Sequence, residues 1–97
     1  CKRIADLADT FGVLWSPHVS SGMPPYVAAS LHLAVATPNA VIMEGGQIYK
    51  ATDVRGSKGN VLLKEPIEFK PGYAVVPEKP GLGIEFDEKE LEKIIVR

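Results

Sequence analysis

An α/β fold with short parallel strands joined through helices is what the first half of this 97-residue sequence predicts, on three observations. A helical apolar stripe leads into a short apolar run, Val13-Leu14-Trp15. A proline-containing loop is followed by residues 26–36, which are apolar over a helical length. A second short apolar run, residues 40–43, then ends at Glu44-Gly45-Gly46. Helix, strand, loop, helix, strand is an alternating unit, and two strands linked by a helical crossover are normally parallel neighbours.

Each element has a local cause. Ile4, Leu7, Ala8 and Phe11 fall at i, i+3, i+4 and i+7, which predicts one buried stripe on a helix. Gly12 stands where the end of that helix needs positive φ. Val13-Leu14-Trp15 is too short for a helix and suits a strand buried on both faces. Ser16-Pro17-His18 ends it, because proline has no N–H for a sheet ladder. Residues 19–24 read as a loop carrying Ser20, Ser21 and Gly22. Pro25 fits the first turn of the next helix, where a missing N–H costs nothing. Residues 26–36 are apolar on nearly every side, as in a helix packed between other elements. Thr37-Pro38-Asn39 breaks that helix before the second strand. Two strands cannot form a stable sheet alone, so burial on both faces calls for further neighbours.

The second half has a different character. Residues 50–60 are polar, include Gly56 and Gly59, and predict an irregular connection. Short extended segments are expected at 61–63, 67–69 and 73–76, with a turn at Pro71-Gly72. Pro80-Gly81-Leu82-Gly83 reads as a loop, and Ile84 and Phe86 alternate around Glu85. Asp87 and Glu90 form a D-x-x-E capping pair ahead of a helical stripe of Leu91, Ile94 and Ile95.

Composition narrows the function classes. With 45% hydrophobic and 24% charged residues the chain is of ordinary globular type, which sets aside a disordered tail. A net charge of −1 and the lack of a basic stripe argue against nucleic acid, since neutralising phosphates takes clustered Lys and Arg. No apolar run approaches the about 20 residues needed to span a bilayer, so no membrane role is expected. Cys1 is the sole cysteine, which excludes an intrachain disulfide and fits a reducing, cytoplasmic setting. The sequence starts with Cys1-Lys2-Arg3 inside what reads as a helix, as expected of a piece of a longer protein.

Two charged residues follow the strands directly: His18 the first, Glu44 the second. The C-terminal ends of parallel strands carry the active site in α/β barrels, because the βα loops converge there. Neighbouring strands would bring both side chains to one rim. Read singly, a histidine such as His18 is more often a loop or structural residue, and Glu44 is equally a helix cap or the ion-pair partner of an arginine. His32, among Leu31 and Leu33, reads as a core histidine bonded to backbone. Phosphate-cradling glycine loops, nucleophile elbows and Cys/His metal spacings are not found in the sequence.

At these residues the sequence resembles the mandelate racemase/muconate lactonizing enzyme family of the enolase superfamily. The matching features run in order: Phe11-Gly12-Val13 and Ser16-Pro17-His18, then Ala28-Ala29-Ser30-Leu31-His32-Leu33-Ala34, then Ala36-Thr37-Pro38-Asn39 and Ile42-Met43-Glu44. The ending, Gly72-Tyr73-Ala74-Val75-Val76-Pro77 with Pro80-Gly81-Leu82-Gly83-Ile84 and Asp87, is similar as well.

The resemblance implies the C-terminal part of a (β/α)7β TIM-type barrel. Residues 1–49 would supply its last helix–strand units, and residues 50–97 an extension packing towards a capping domain. It also implies proton abstraction next to a carboxylate with Mg²⁺, whose ligands would lie upstream of Cys1. His18 would be the seventh-strand histidine, an acid/base oriented by an aspartate from the sixth strand. Glu44 would be the eighth-strand glutamate that hydrogen-bonds the substrate carboxylate, both residues being catalytic. Muconate-cycloisomerase and dipeptide-epimerase relatives generally lack this histidine. The loop after His18 is longer than in mandelate racemase itself, which favours a sugar-acid dehydratase. The resemblance also implies a homo-oligomer as the full-length enzyme, acting on a small carboxylate substrate. The alternatives are a racemase or epimerase of a 2-hydroxy acid, and a non-catalytic structural module.

Overall fold

The computed structural model describes residues 1–19, 23–44 and 59–95. Along the chain run α1 (Lys2–Thr10), α2 (Pro24–Val35), a 3₁₀ turn (Gly59–Leu62), β1 (Phe69–Lys70), β2 (Tyr73–Ala74) and α3 (Glu88–Glu92). The loop at Ser20, Ser21 and Gly22, the strand end at Gly45-Gly46 and the connection expected up to residue 58 lie outside the described residues, as does the division at residue 49.

Helix α1 ends as its glycine predicts. Gly12 has φ +66°, the Val13 N–H donates to the Ala8 carbonyl (2.8 Å) and the Gly12 N–H to Asp9 (2.9 Å). That pair of bonds is a Schellman cap, which turns the chain sharply into the next segment. The expected buried stripe differs. Ile4, Leu7 and Phe11 are exposed, and Ala5 is the buried residue of the helix. Small Ala5 faces the rest of the chain, whereas the large side chains point to a face that no described residue covers.

The two predicted strands do lie side by side and parallel, but they form one bridge, Trp15 to Ala40, and no longer ladder. The Trp15 N–H donates to the Asn39 carbonyl (3.1 Å) and the Val41 N–H to Trp15 (3.2 Å). Burial on both faces is not observed: Val13, Leu14, Val41 and Ile42 are exposed. A strand is covered on both faces only where layers stack above and below it. Here the described residues cover one side.

Asn39 and Thr37 tie this unit together. Asn39 is buried, and its Nδ2 donates to the carbonyls of Ala5 (2.9 Å) and Val13 (3.0 Å), linking helix α1 to the first strand segment. The buried Thr37 hydroxyl donates to the Leu33 carbonyl (3.0 Å) and accepts from Trp15 Nε1 (3.2 Å).

Helix α2 starts two residues earlier than its apolar run, with Pro24 and Pro25 both in the first turn, where neither removes a helical hydrogen bond. Val27, Ala28 and Leu31 form its buried face, while Tyr26 and Val35 are exposed. That face joins Val19, Leu63 and Ile67 in one core, flanked by Met43, Phe69, Ala74, Val76, Ile84 and Phe86. Fully burying an aliphatic side chain of this kind is worth about 1.5–3 kcal/mol, so this cluster holds the two halves together.

The second half wraps that face. The extended segment expected at 61–63 is instead the 3₁₀ turn, followed by an antiparallel bridge from Leu63 to Phe86. The Asn60 side chain explains the turn: its amide donates to the Ile67 carbonyl (2.8 Å) and accepts from the Ile67 N–H (3.0 Å). A side chain standing in for a strand partner bends the chain where a ladder would run straight. Strands β1 and β2 pair antiparallel across Pro71-Gly72, with Phe69 opposite Ala74 and Lys70 opposite Tyr73. Gly72 has φ +81°, which with proline before it suits a type II turn. Asp87 caps α3 as predicted, accepting from the Lys89 N–H (2.9 Å). The helix stops at Glu92, and Ile94 and Ile95 are exposed, not part of a buried stripe.

Candidate active site

His18 and Glu44 meet. Three residues past Trp15 and four past Ala40, the bridged pair, both side chains stand at the same end of the two parallel segments. His18 Nδ1 lies 2.7 Å from Glu44 Oε2. The same oxygen accepts the Val19 N–H at 2.8 Å. The Val19 side chain is buried in the core, so the backbone beside His18 is anchored from below.

With Nδ1 directed at a carboxylate oxygen, the contact favours the tautomer that carries its proton on Nδ1 and leaves the lone pair on Nε2. The imidazole is 81% exposed and the glutamate 47%, so a reactant can reach both. Exposed pairs of this kind stabilise a fold by about 0–1 kcal/mol, so the consequence of the contact is orientation rather than stability. An open pocket of about 330 Å³ adjoins the pair, lined by Ser16, Pro17, His18, Ile42, Met43 and Glu44.

Tyr26 joins the site without having been singled out by sequence. It lies in the first turn of α2, and its hydroxyl donates to the His18 carbonyl at 2.8 Å. Only a contact between a helix start and the loop before it marks this residue, and spacing does not reveal such a contact. His32 is half-buried on α2, with Nε2 3.2 Å from the Leu82 carbonyl. It is bonded to backbone, as its apolar neighbours suggested, and stands apart from the His18–Glu44 pair.

Mg²⁺ prefers an octahedral shell of oxygens. Among the described residues no group of three or more His, Cys, Asp or Glu could hold a metal ion. Glu44, the carboxylate at the site, directs Oε2 to an imidazole and an amide. The described residues therefore do not themselves form a Mg²⁺ site. Nor is any helix among them long and apolar enough to cross a membrane.

Two parallel segments flanked by helices, with a histidine and a glutamate in contact at their C-terminal ends, are an α/β arrangement. Residues 1–90 match the family described as enolase C-terminal domain-like, and the chain belongs to that family, within the enolase superfamily of mandelate racemase and muconate lactonizing enzymes. A candidate mandelate racemase/muconate lactonizing enzyme from Burkholderia SAR-1 is similar over 97% of this chain, with 32% identity and a TM-score of 0.80. An enolase of the mandelate racemase subgroup from Agrobacterium tumefaciens is similar over 94%, with 30% identity and a TM-score of 0.73. A candidate dehydratase from Mesorhizobium loti is similar over 99%, with 27% identity and a TM-score of 0.78. The chain spans 22%, 23% and 24% of the length of these three proteins, respectively.

Proposed function

We propose that this chain supplies the His18–Glu44 part of the active site of an enolase-superfamily enzyme that removes the proton next to a carboxylate, and that the reaction is dehydration of a sugar acid. The observation that carries this reading is the 2.7 Å contact between His18 Nδ1 and Glu44 Oε2 at the shared end of two parallel segments. Similarity to candidate dehydratases from Mesorhizobium loti and Salmonella enterica supports the choice of reaction.

Superfamily members generally use Mg²⁺, which would stabilise charge on the substrate carboxylate. In this reading its ligands, and the rest of a (β/α)7β barrel, come from outside the described residues. His18 acts through Nε2. Neutral, that nitrogen accepts a proton; protonated, it delivers one to the departing β-hydroxyl, which leaves as water. One C–H and one C–O bond break, a carbon–carbon double bond forms, and the enol relaxes to a 2-keto-3-deoxy acid. Glu44 lies close enough to His18 to reach the substrate carboxylate beside it, and when its other carboxyl oxygen is protonated it donates a hydrogen bond there, which strengthens as charge develops.

The test uses the complete natural polypeptide with Mg²⁺ and a panel of sugar acids, following formation of the keto acid. His18→Asn should lower turnover by about 10²–10⁴-fold, the usual worth of a general acid or base, with an unchanged circular dichroism spectrum. Unaltered turnover would remove His18 from the chemistry. Similarity to mandelate racemase relatives favours one alternative, racemisation or epimerisation of a 2-hydroxy acid. Exchange of the α-hydrogen for deuterium without loss of water would select it.

A further inference from the structure

The carbonyl of His18 and the N–H of Val19 belong to one peptide plane, and side chains hold both. Tyr26 donates its hydroxyl to the carbonyl at 2.8 Å, and Glu44 Oε2 accepts the N–H at 2.8 Å. The second jaw also reaches the ring, since that same carboxylate oxygen lies 2.7 Å from His18 Nδ1. Below the plane, the Val19 side chain is 1% exposed, and Pro17 on the other side of His18 is buried as well.

A peptide unit is planar and stiff, so fixing its C=O and its N–H fixes the plane. The plane in turn limits the direction in which the His18 side chain leaves the backbone. We propose that Tyr26 is a positioning residue for His18. Together with Glu44 it clamps the 18–19 peptide, which aims Nδ1 at Glu44 and keeps Nε2 as the working nitrogen. The proposal rests on the reading of His18 as the acid/base.

A purely structural role for the hydroxyl is the weaker account. Tyr26 is 52% exposed, so water could satisfy both its hydroxyl and the His18 carbonyl, and the direct bond adds little to folding. What water could not supply is a fixed direction.

The experiment is Tyr26→Phe in the complete natural polypeptide, with ¹⁵N-labelled histidine and the His18 signals assigned by their loss in His18→Asn. In the parent protein, with the ring neutral, His18 should give a protonated Nδ1 and an unprotonated Nε2. Tyr26→Phe should blur this into a mixture of tautomers and lower kcat about tenfold, with KM within about twofold and an unchanged melting profile. Parent-like ¹⁵N signals in the variant would overturn the clamp, whatever happens to kcat. So would a loss of activity matched by an equal loss of thermal stability. If the tautomer pattern changes in Tyr26→Phe while His18→Asn leaves turnover intact, the clamp stands and the active-site reading fails.

Discussion

Helix α1 with the two parallel strand segments, and the stretch from Leu62 to Ile67, treat their large apolar side chains in opposite ways. In the first region the sequence carries strong patterns, a helical stripe and two doubly apolar strands. Yet Ile4, Leu7, Phe11, Val13, Leu14 and Ile42 are exposed. In the second region the elements are short and irregular, and Leu62, Leu63 and Ile67 are nonetheless buried. Hydrophobicity states a demand for cover, and only neighbours supply it. The second region finds its neighbour in helix α2. The outer face of the first finds none among the described residues, and an apolar surface of that kind marks a place where protein packs on protein.

The sharpest way to break this comparison is a pair of truncations in the 97-residue chain. Leu62 has no exposed surface, and Leu62→Ala should cost about 2–5 kcal/mol, read as a fall in the denaturant midpoint. Phe11 is 75% exposed, and Phe11→Ala should move that midpoint by no more than about 0.5 kcal/mol. Equal losses would mean that both regions share one core. Within the barrel proposed above the Phe11 effect should rise, because the same face would then be covered.

Gly83 is the next largest effect. It holds φ +71°, and an added Cβ would sit 2.5 Å from Pro77 Cβ and 2.9 Å from its backbone carbonyl carbon and oxygen. Positive φ costs an L-residue about 1–2 kcal/mol, and the contact with backbone cannot relax cheaply. Gly83→Ala should therefore destabilise by about 2–3 kcal/mol in thermal melts. Gly81 also has φ +72°, but its added Cβ would meet open space. Gly81→Ala should show the backbone cost alone, and a Gly83 variant no worse than it would remove the Pro77 contact from the account.

The smallest effect concerns Lys64 and Glu85, an exposed pair beside the Leu63–Phe86 bridge. The hydrogen bond from Lys64, then its charge, lowers the Glu85 pKa, and the bond to Glu85 with its charge raises that of Lys64. A lowered carboxylate stabilises the folded chain above its unfolded pKa, and that contribution fades as pH falls through the folded value. A raised lysine stabilises below its unfolded pKa and fades as pH rises through the folded value. The pair therefore contributes fully between the two unfolded pKa values, weakly because both groups meet water and salt. A carboxyl NMR titration should place Glu85 below the ordinary glutamate range, and Lys64→Gln should return it there. A parent-like midpoint in that variant would remove Lys64 as the cause.

Features made by near neighbours in sequence were legible in advance. Gly12 ends α1, the prolines open α2, Pro71-Gly72 turns the hairpin, and Asp87 caps α3, each through atoms a few residues away. The candidate site was half legible. His18 and Glu44 stood out because each follows a strand-like run, and the parallel bridge brings them together. Tyr26 did not, because a phenol on a helix carries no sign that its hydroxyl reaches back to a loop carbonyl. The 3₁₀ turn at Gly59–Leu62 escaped for the same reason, since the Asn60 bonds to Ile67 override a strand-like run of Val and Leu.

The sequence by itself determined the alternation of helix and strand, the caps and turns, and which two charged residues follow the strands. These depend on backbone chemistry and side-chain period, which act locally. Tertiary structure alone decided which apolar faces are covered, and that Glu44 meets both the His18 ring and the Val19 amide. It also decided that Tyr26 closes on the same peptide. Those outcomes depend on where distant segments come to rest, and a hydrogen bond exists only once both of its atoms are in place.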